Sequence, residues 1–102
     1  MKTTDVIFRK WNDGSILALF PYSIDTYEGN VSSYEHIGQH SSADYGHCIY
    51  NTKLAKEHEY KPLKQELESI GYDLNVIKRQ NYDKFLIGLN ETRQVFNKYG
   101  DF

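Results

Sequence analysis

Within Ser33–Cys48 the chain gathers three of its four histidines, its one cysteine, two tyrosines, two acids and two glycines. Imidazole, thiol, hydroxyl and carboxylate are the groups that move protons, attack carbon or ligate metals. Three chemistries fit this set. The first is a metal site, because zinc takes His, Cys and Asp, and His36, His40, Asp44, His47 and Cys48 supply those types. The H-x-x-x-H spacing joins two ligands on a helix. In an extended strand, His36 and His40 stand about 13 Å apart, too far for one ion without a bulge near Gly38. No C-x-x-C pair is present. This spacing argues against a metal. The second chemistry is nucleophilic catalysis by Ser41, Ser42 or Cys48 with His40 and Asp44, but no nucleophile-turn motif such as G-x-S-x-G accompanies them.

The third chemistry is a hydrogen-bonding pocket for a small polar or anionic ligand. Gly38 and Gly46 open the backbone to close approach. His40, Ser41 and Ser42 offer donors, and Tyr34 and Tyr45 offer rings. Neither a P-loop nor a dinucleotide fingerprint occurs. The residues expected to contact a ligand are Tyr34, His36, Gln39, His40, Ser41, Asp44 and Tyr45, with the 38–46 loop as the functional surface. A structural role competes with this reading. Asp44 and the serines also build turns through side chain–backbone bonds, and histidines at a sheet edge are often simply satisfied polar groups.

The elements that would position this segment follow from periodicity. Residues 5–11 and 15–20 read as two strands joined by Asn12-Asp13-Gly14, a hairpin turn signal, with Pro21 as the stop. Both strands are apolar on both faces: Val6 and Phe8 oppose Ile7 and Trp11, and Ile16, Ala18 and Phe20 oppose Leu17 and Leu19. Such a hairpin needs cover on two sides. Residues 31–40 read as a third strand and 47–50 as a short extra one. Tyr60, Leu63, Leu67 and Ile70 form the stripe of an amphipathic helix. Pro62 belongs in a first turn, which starts that helix between 57 and 61, and Gly71 ends it. Residues 72–79 alternate as a strand. Residues 84–89 suit a last strand, and Asn90 a cap for a helix over 91–99 ended by Gly100. The expectation is an α+β fold, an antiparallel sheet with one principal helix packed on it. Residues 1–80 form the domain, and 81–102 are a C-terminal extension covering the second face of the hairpin, a role a homodimer would also fill.

The chain has 102 residues and a net charge of −2, with a quarter of its residues charged. That is an ordinary composition for a globular domain. The basic pairs Arg9-Lys10 and Lys78-Arg79 do not extend into a patch, which argues against binding a nucleic-acid backbone. A lone cysteine allows no intrachain disulfide. No apolar run reaches membrane-spanning length. The expected location is the cytoplasm, with no membrane partner and no cofactor.

V-I-F-R-K-W-x-D-G-x-I-L-A-L-F-P near the start, S-S-Y-E-H-I-G-Q-H-S-S-A-D-Y, and L-K-Q-E-L-E-S-I-G-Y-D-L-N-V-I-K-R carry a resemblance. Over residues 5–79 the chain resembles small uncharacterised proteins of phages and conjugative elements from gut bacteria. The resemblance implies a mobile-element origin and a small α+β fold, and it transfers no catalytic role. The functional expectation is a non-enzymatic binding or interaction protein whose 34–48 segment takes a host protein or a small polar, nucleotide-like ligand. A small hydrolase or metal-dependent enzyme using the same His, Asp and Cys is the alternative.

Overall fold

A computed structural model describes residues 3–36 and 39–99. Strands β1 (Thr4–Lys10) and β2 (Ile16–Ile24) form the central hairpin. Its turn is held by Asp13, whose Oδ1 accepts from the Ser15 N–H at 2.9 Å and the Ser15 hydroxyl at 2.6 Å. These bonds hold the Asp13 carboxyl below its usual range. β2 does not stop at Pro21 but runs on to Ile24. Pro21 has no N–H for the ladder, and the pairing with the next strand shifts between Phe20 and Ile24 to absorb the defect.

The expected third strand over 31–40 is instead the hairpin β3 (Val31–Glu35) and β4 (Gln39–Ala43), which turns through His36. Ile37 and Gly38, which were expected within that strand, lie outside the described residues. Helix α1 (Tyr45–Asn51) replaces the short strand expected at 47–50. Asp44 decides this locally: its side chain accepts from the His47 N–H at 3.1 Å and caps the first turn. Arg9 of β1 closes the other end by donating to the Thr52 carbonyl at 2.7 Å and the Ile49 carbonyl at 3.1 Å, a cation at a helix C-terminus.

A short strand β5 (Lys53–Leu54) leads into helix α2 (Glu57–Ser69). Pro62 is the sixth residue of α2, in the second turn rather than the first, where its missing N–H costs one helical bond. Glu59 Oε1 accepts from the Lys56 N–H at 2.9 Å and secures the start. At the other end the Tyr72 N–H reaches the Leu67 carbonyl and the Gly71 N–H reaches Glu68. This is a Schellman stop that needs the positive φ of 110° at Gly71. Leu63 and Leu67 are buried, whereas Ile70, expected on the same stripe, lies past the helix end and is exposed.

Of the strand expected over 72–79 only β6 (Leu74–Val76) forms, and it runs parallel to the first half of β1. The sheet order is β4-β3-β2-β1-β5, antiparallel throughout, with β6 beside β1. The expected strand at 84–89 and the helix start at Asn90 both give way to one continuous helix, α3 (Tyr82–Tyr99), capped by Asn81, whose Oδ1 accepts from the Lys84 N–H at 3.1 Å. Gly88, unfavourable in a helix by propensity, sits where a Cβ would come within 3.2 Å of Ile24 Cδ1. Its absent side chain lets α3 lie close against β2. Gly100 lies outside the described residues.

The two faces of the central hairpin carry separate cores. Val6, Phe8, Ala18, Phe20 and Tyr34 pack against Leu63 and Leu67 of α2, and the Phe8 and Tyr60 rings stack at 4.4 Å. Ile7, Leu17, Leu19 and Val31 pack against Cys48 and Ile49 of α1 and Phe85 of α3. Each face is covered within the chain. The outer side of α3 leaves Ile87, Val95 and Tyr99 exposed. Among the described residues, no helix is long and apolar enough to cross a membrane.

Candidate functional site

The sheet divides the 34–48 segment. In the β3–β4 ladder Tyr34 pairs with His40 and Ser33 with Ser41. Successive side chains alternate between faces. Tyr34 and His40 therefore fall on the α2 side, while Ser33 and Ser41 fall on the side of α1 and α3.

On the α2 side the polar groups are linked to one another. The buried Tyr34 hydroxyl donates to the Glu66 carboxylate of α2. The second carboxylate oxygen meets His36 Nδ1 at 2.6 Å. A carboxylate only accepts, so this contact places a proton on Nδ1, and in the neutral imidazole Nε2 is then the acceptor nitrogen. The His36 side chain is 74% exposed, and Nε2 has no hydrogen-bond partner among the described residues. His40 Nε2 lies 3.0 Å from the Tyr72 hydroxyl, and its ring stands edge-on to Tyr34 at 4.7 Å. Tyr72 in turn stacks on Phe20 at 5.2 Å. Buried tyrosine, two histidines and a helical carboxylate thus form one connected row.

Beside His36 lies a cleft of about 390 Å³. Ile16, Pro62 and Leu63 give it apolar surface, and Ser15, Glu35, His36, Gln39 and Glu59 give it polar groups. Its volume falls in the range of small-ligand sites. Glu59 is bonded to Lys10, and that contact, with the Lys56 N–H, holds its carboxyl below the usual range. Glu35 has no ion pair among the described residues. The cleft is therefore weakly acidic.

On the opposite side the same segment is tied to backbone. The Ser33 hydroxyl lies 3.1 Å from the Ser41 carbonyl and 3.0 Å from its hydroxyl. Asp44 caps α1. The Tyr45 hydroxyl accepts from the Gln80 N–H at 3.0 Å, fixing the approach to α3. Asp44, Tyr45 and Gly46 border a different opening of about 440 Å³ with Glu28, Gln80 and Phe85. His47 borders a third, about 510 Å³, with Trp11, Asp13 and Asn51. Cys48 is buried, and burial, reinforced by Asp44 and Glu35, pushes its thiol above the ordinary range.

The structure thus brings Tyr34, His36 and His40 into one network, with Gln39 beside His36 at the cleft, and places Ser41, Asp44 and Tyr45 elsewhere. Among the described residues, no group of three or more His, Cys, Asp or Glu is gathered as metal ligands would be. Nor does any buried side-chain nitrogen or oxygen lack a hydrogen-bond partner. Glu66, which organises the α2 side, lies outside the 34–48 segment. Its only signal is its place in the helical stripe, three residues after Leu63 and one before Leu67, at the rim of the buried face. Comparison of the chain with family models, curated proteins and solved structures gives no match.

Proposed function

We propose that this is a non-enzymatic binding domain whose α2-side cleft takes a small polar, nucleobase-like ligand. The observation that carries the reading is His36. It is an exposed imidazole held through Nδ1 by Glu66, and it lines a partly apolar cleft of ligand size. A flat heterocycle would lie on Ile16, Pro62 and Leu63. Its N–H groups would be received by His36, Glu35 and the Gln39 amide oxygen. The acidic lining favours a neutral or cationic donor over a phosphate-bearing one. The resemblance of residues 5–79 adds the context of a mobile genetic element, and the lone cysteine that of the cytoplasm.

Titration with adenine and with AMP, followed by backbone amide shifts, tests the reading. Adenine is expected to move Ser15, Glu35 and Gln39, and AMP to bind more weakly. His36→Ala is expected to abolish the adenine shifts without changing the fold. Equal responses to both ligands in wild type and His36→Ala would remove the cleft from consideration.

A further inference from the structure

A second recess lies away from the 34–48 segment. β1 has two partners on its outer edge, β6 along Thr4–Val6 and β5 along Arg9–Lys10. Between them the Ala55 N–H reaches the Phe8 carbonyl and the Ile77 N–H the Val6 carbonyl. The gap opens as a groove of about 610 Å³. Its floor is the Phe8–Tyr60 stack, and its walls include Ala55 and Ile77.

The charge at its mouth contrasts with the rest of the chain. Lys56 and Lys78 border the groove from opposite sides, against Glu57 alone. Neither lysine takes an ion pair among the described residues. In a chain of net charge −2, this is a locally cationic rim over an apolar recess. An apolar body removes surface from water in the recess, while one anionic group at the mouth meets the two ammonium groups. We propose that the groove between β5 and β6 binds a small amphipathic carboxylate, an acyl chain or aryl group with a single acid, with Lys56 and Lys78 at its head. This site is separate from the cleft beside His36 and does not depend on it.

Octanoate, with octanol as its uncharged counterpart, tests the proposal by calorimetry and amide shifts on the full chain. Octanoate is expected to bind saturably and to move Ala55, Ile77 and Lys78. A charge-reversed Lys56→Glu/Lys78→Glu chain should bind it roughly tenfold more weakly or worse, since charge-assisted contacts are the stronger polar ones. Leu54, 40% exposed at the groove, offers a second variant that leaves the buried core intact. Leu54→Glu should also weaken octanoate, whereas His36→Ala should not. Absence of saturable octanoate binding, binding undiminished by charge reversal, or octanol binding as tightly as octanoate would each overturn the proposal. Loss of octanoate binding in His36→Ala would overturn it too, by placing the ligand in the other cleft.

Discussion

The α2 side of the sheet and the side facing α1 and α3 treat the same stretch of chain differently. On the α2 side, polar side chains from β3, β4, α2 and the 72 position bond to each other: Tyr34 and His36 to Glu66, His40 to Tyr72. On the other side, side chains bond mainly to main chain: Ser33 to Ser41, Asp44 to His47, Tyr45 to Gln80. A side chain that answers a backbone N–H fixes a turn or a helix end and is committed to that geometry. A side chain held by another side chain is oriented yet can keep an unused polar atom, as His36 does. Density of reactive residue types in sequence therefore does not mark a site by itself. What matters is which partner each group is given.

The comparison breaks most visibly at Glu66. Glu66→Ala removes the acceptor of a buried tyrosine hydroxyl and should cost about 1–3 kcal/mol, the range for leaving a buried polar group unsatisfied. It should also free the His36 ring. Urea melts give the first quantity, and ¹⁵N shifts of the imidazole give the second. If the stability is unchanged and the His36 tautomer stays as in wild type, the α2-side network is not the organised unit described here. Tyr34→Phe should cost less than Glu66→Ala, because Glu66 keeps His36.

Much of this arrangement is legible in the sequence. The two apolar faces of the first hairpin, its turn at Asn12-Asp13-Gly14, and the α2 stripe with its Gly71 stop all follow from periods of two and 3.6 and from turn chemistry. The segment of greatest interest, 31–48, departs from its local pattern. Extending one strand over 31–40 put His36 and His40 on a shared face far apart, whereas a hairpin sets His36 in its turn and His40 opposite Tyr34. Asp44 has the chemistry of a turn former, but its role as the cap of α1 is hidden because His47-Cys48-Ile49-Tyr50 looks like a strand in isolation. The tail departs from its pattern for a related reason. Glycine is disfavoured inside a helix, and only the close approach of α3 to Ile24 shows why a residue without a Cβ sits at position 88. Glu66 and Tyr72 could not be assigned partners, since pairings across some 30 positions depend on tertiary contacts that no local pattern encodes.

On the opposite side a smaller effect is expected. Asp44→Ala removes an N-cap and should cost about 1 kcal/mol. Because Asp44 borders a different opening from His36, adenine titration of this variant should match wild type. Thermal melts and the same amide shifts decide both points. A binding defect in Asp44→Ala with an unchanged melting temperature would rejoin the two halves of the segment into one functional surface.

The smallest effect concerns Cys48, which sharpens the contrast because it is a reactive group type made inert by its surroundings. Burial raises its pKa in the folded chain, and the carboxylates of Asp44 and Glu35 add to the rise. The sign follows from linkage. Below the unfolded thiol's pKa both states keep the proton, and the contribution to stability is complete. Between the unfolded and the raised folded pKa, the unfolded chain has lost its proton while the folded chain retains it. Unfolding then gains, so stability falls as the pH rises through that alkaline window. Melting temperatures of wild type and Cys48→Ala compared from about pH 7 to about pH 10 isolate the thiol from the titrating tyrosines, which both chains share. Wild type should lose more stability than Cys48→Ala on going alkaline. Near pH 7 its thiol should react slowly with iodoacetamide when folded and readily in denaturant, because the thiolate is the nucleophile and burial suppresses it. Parallel pH profiles together with fast alkylation of the folded chain would show that Cys48 is open to solvent, and that the side facing α1 and α3 is looser than the side under α2.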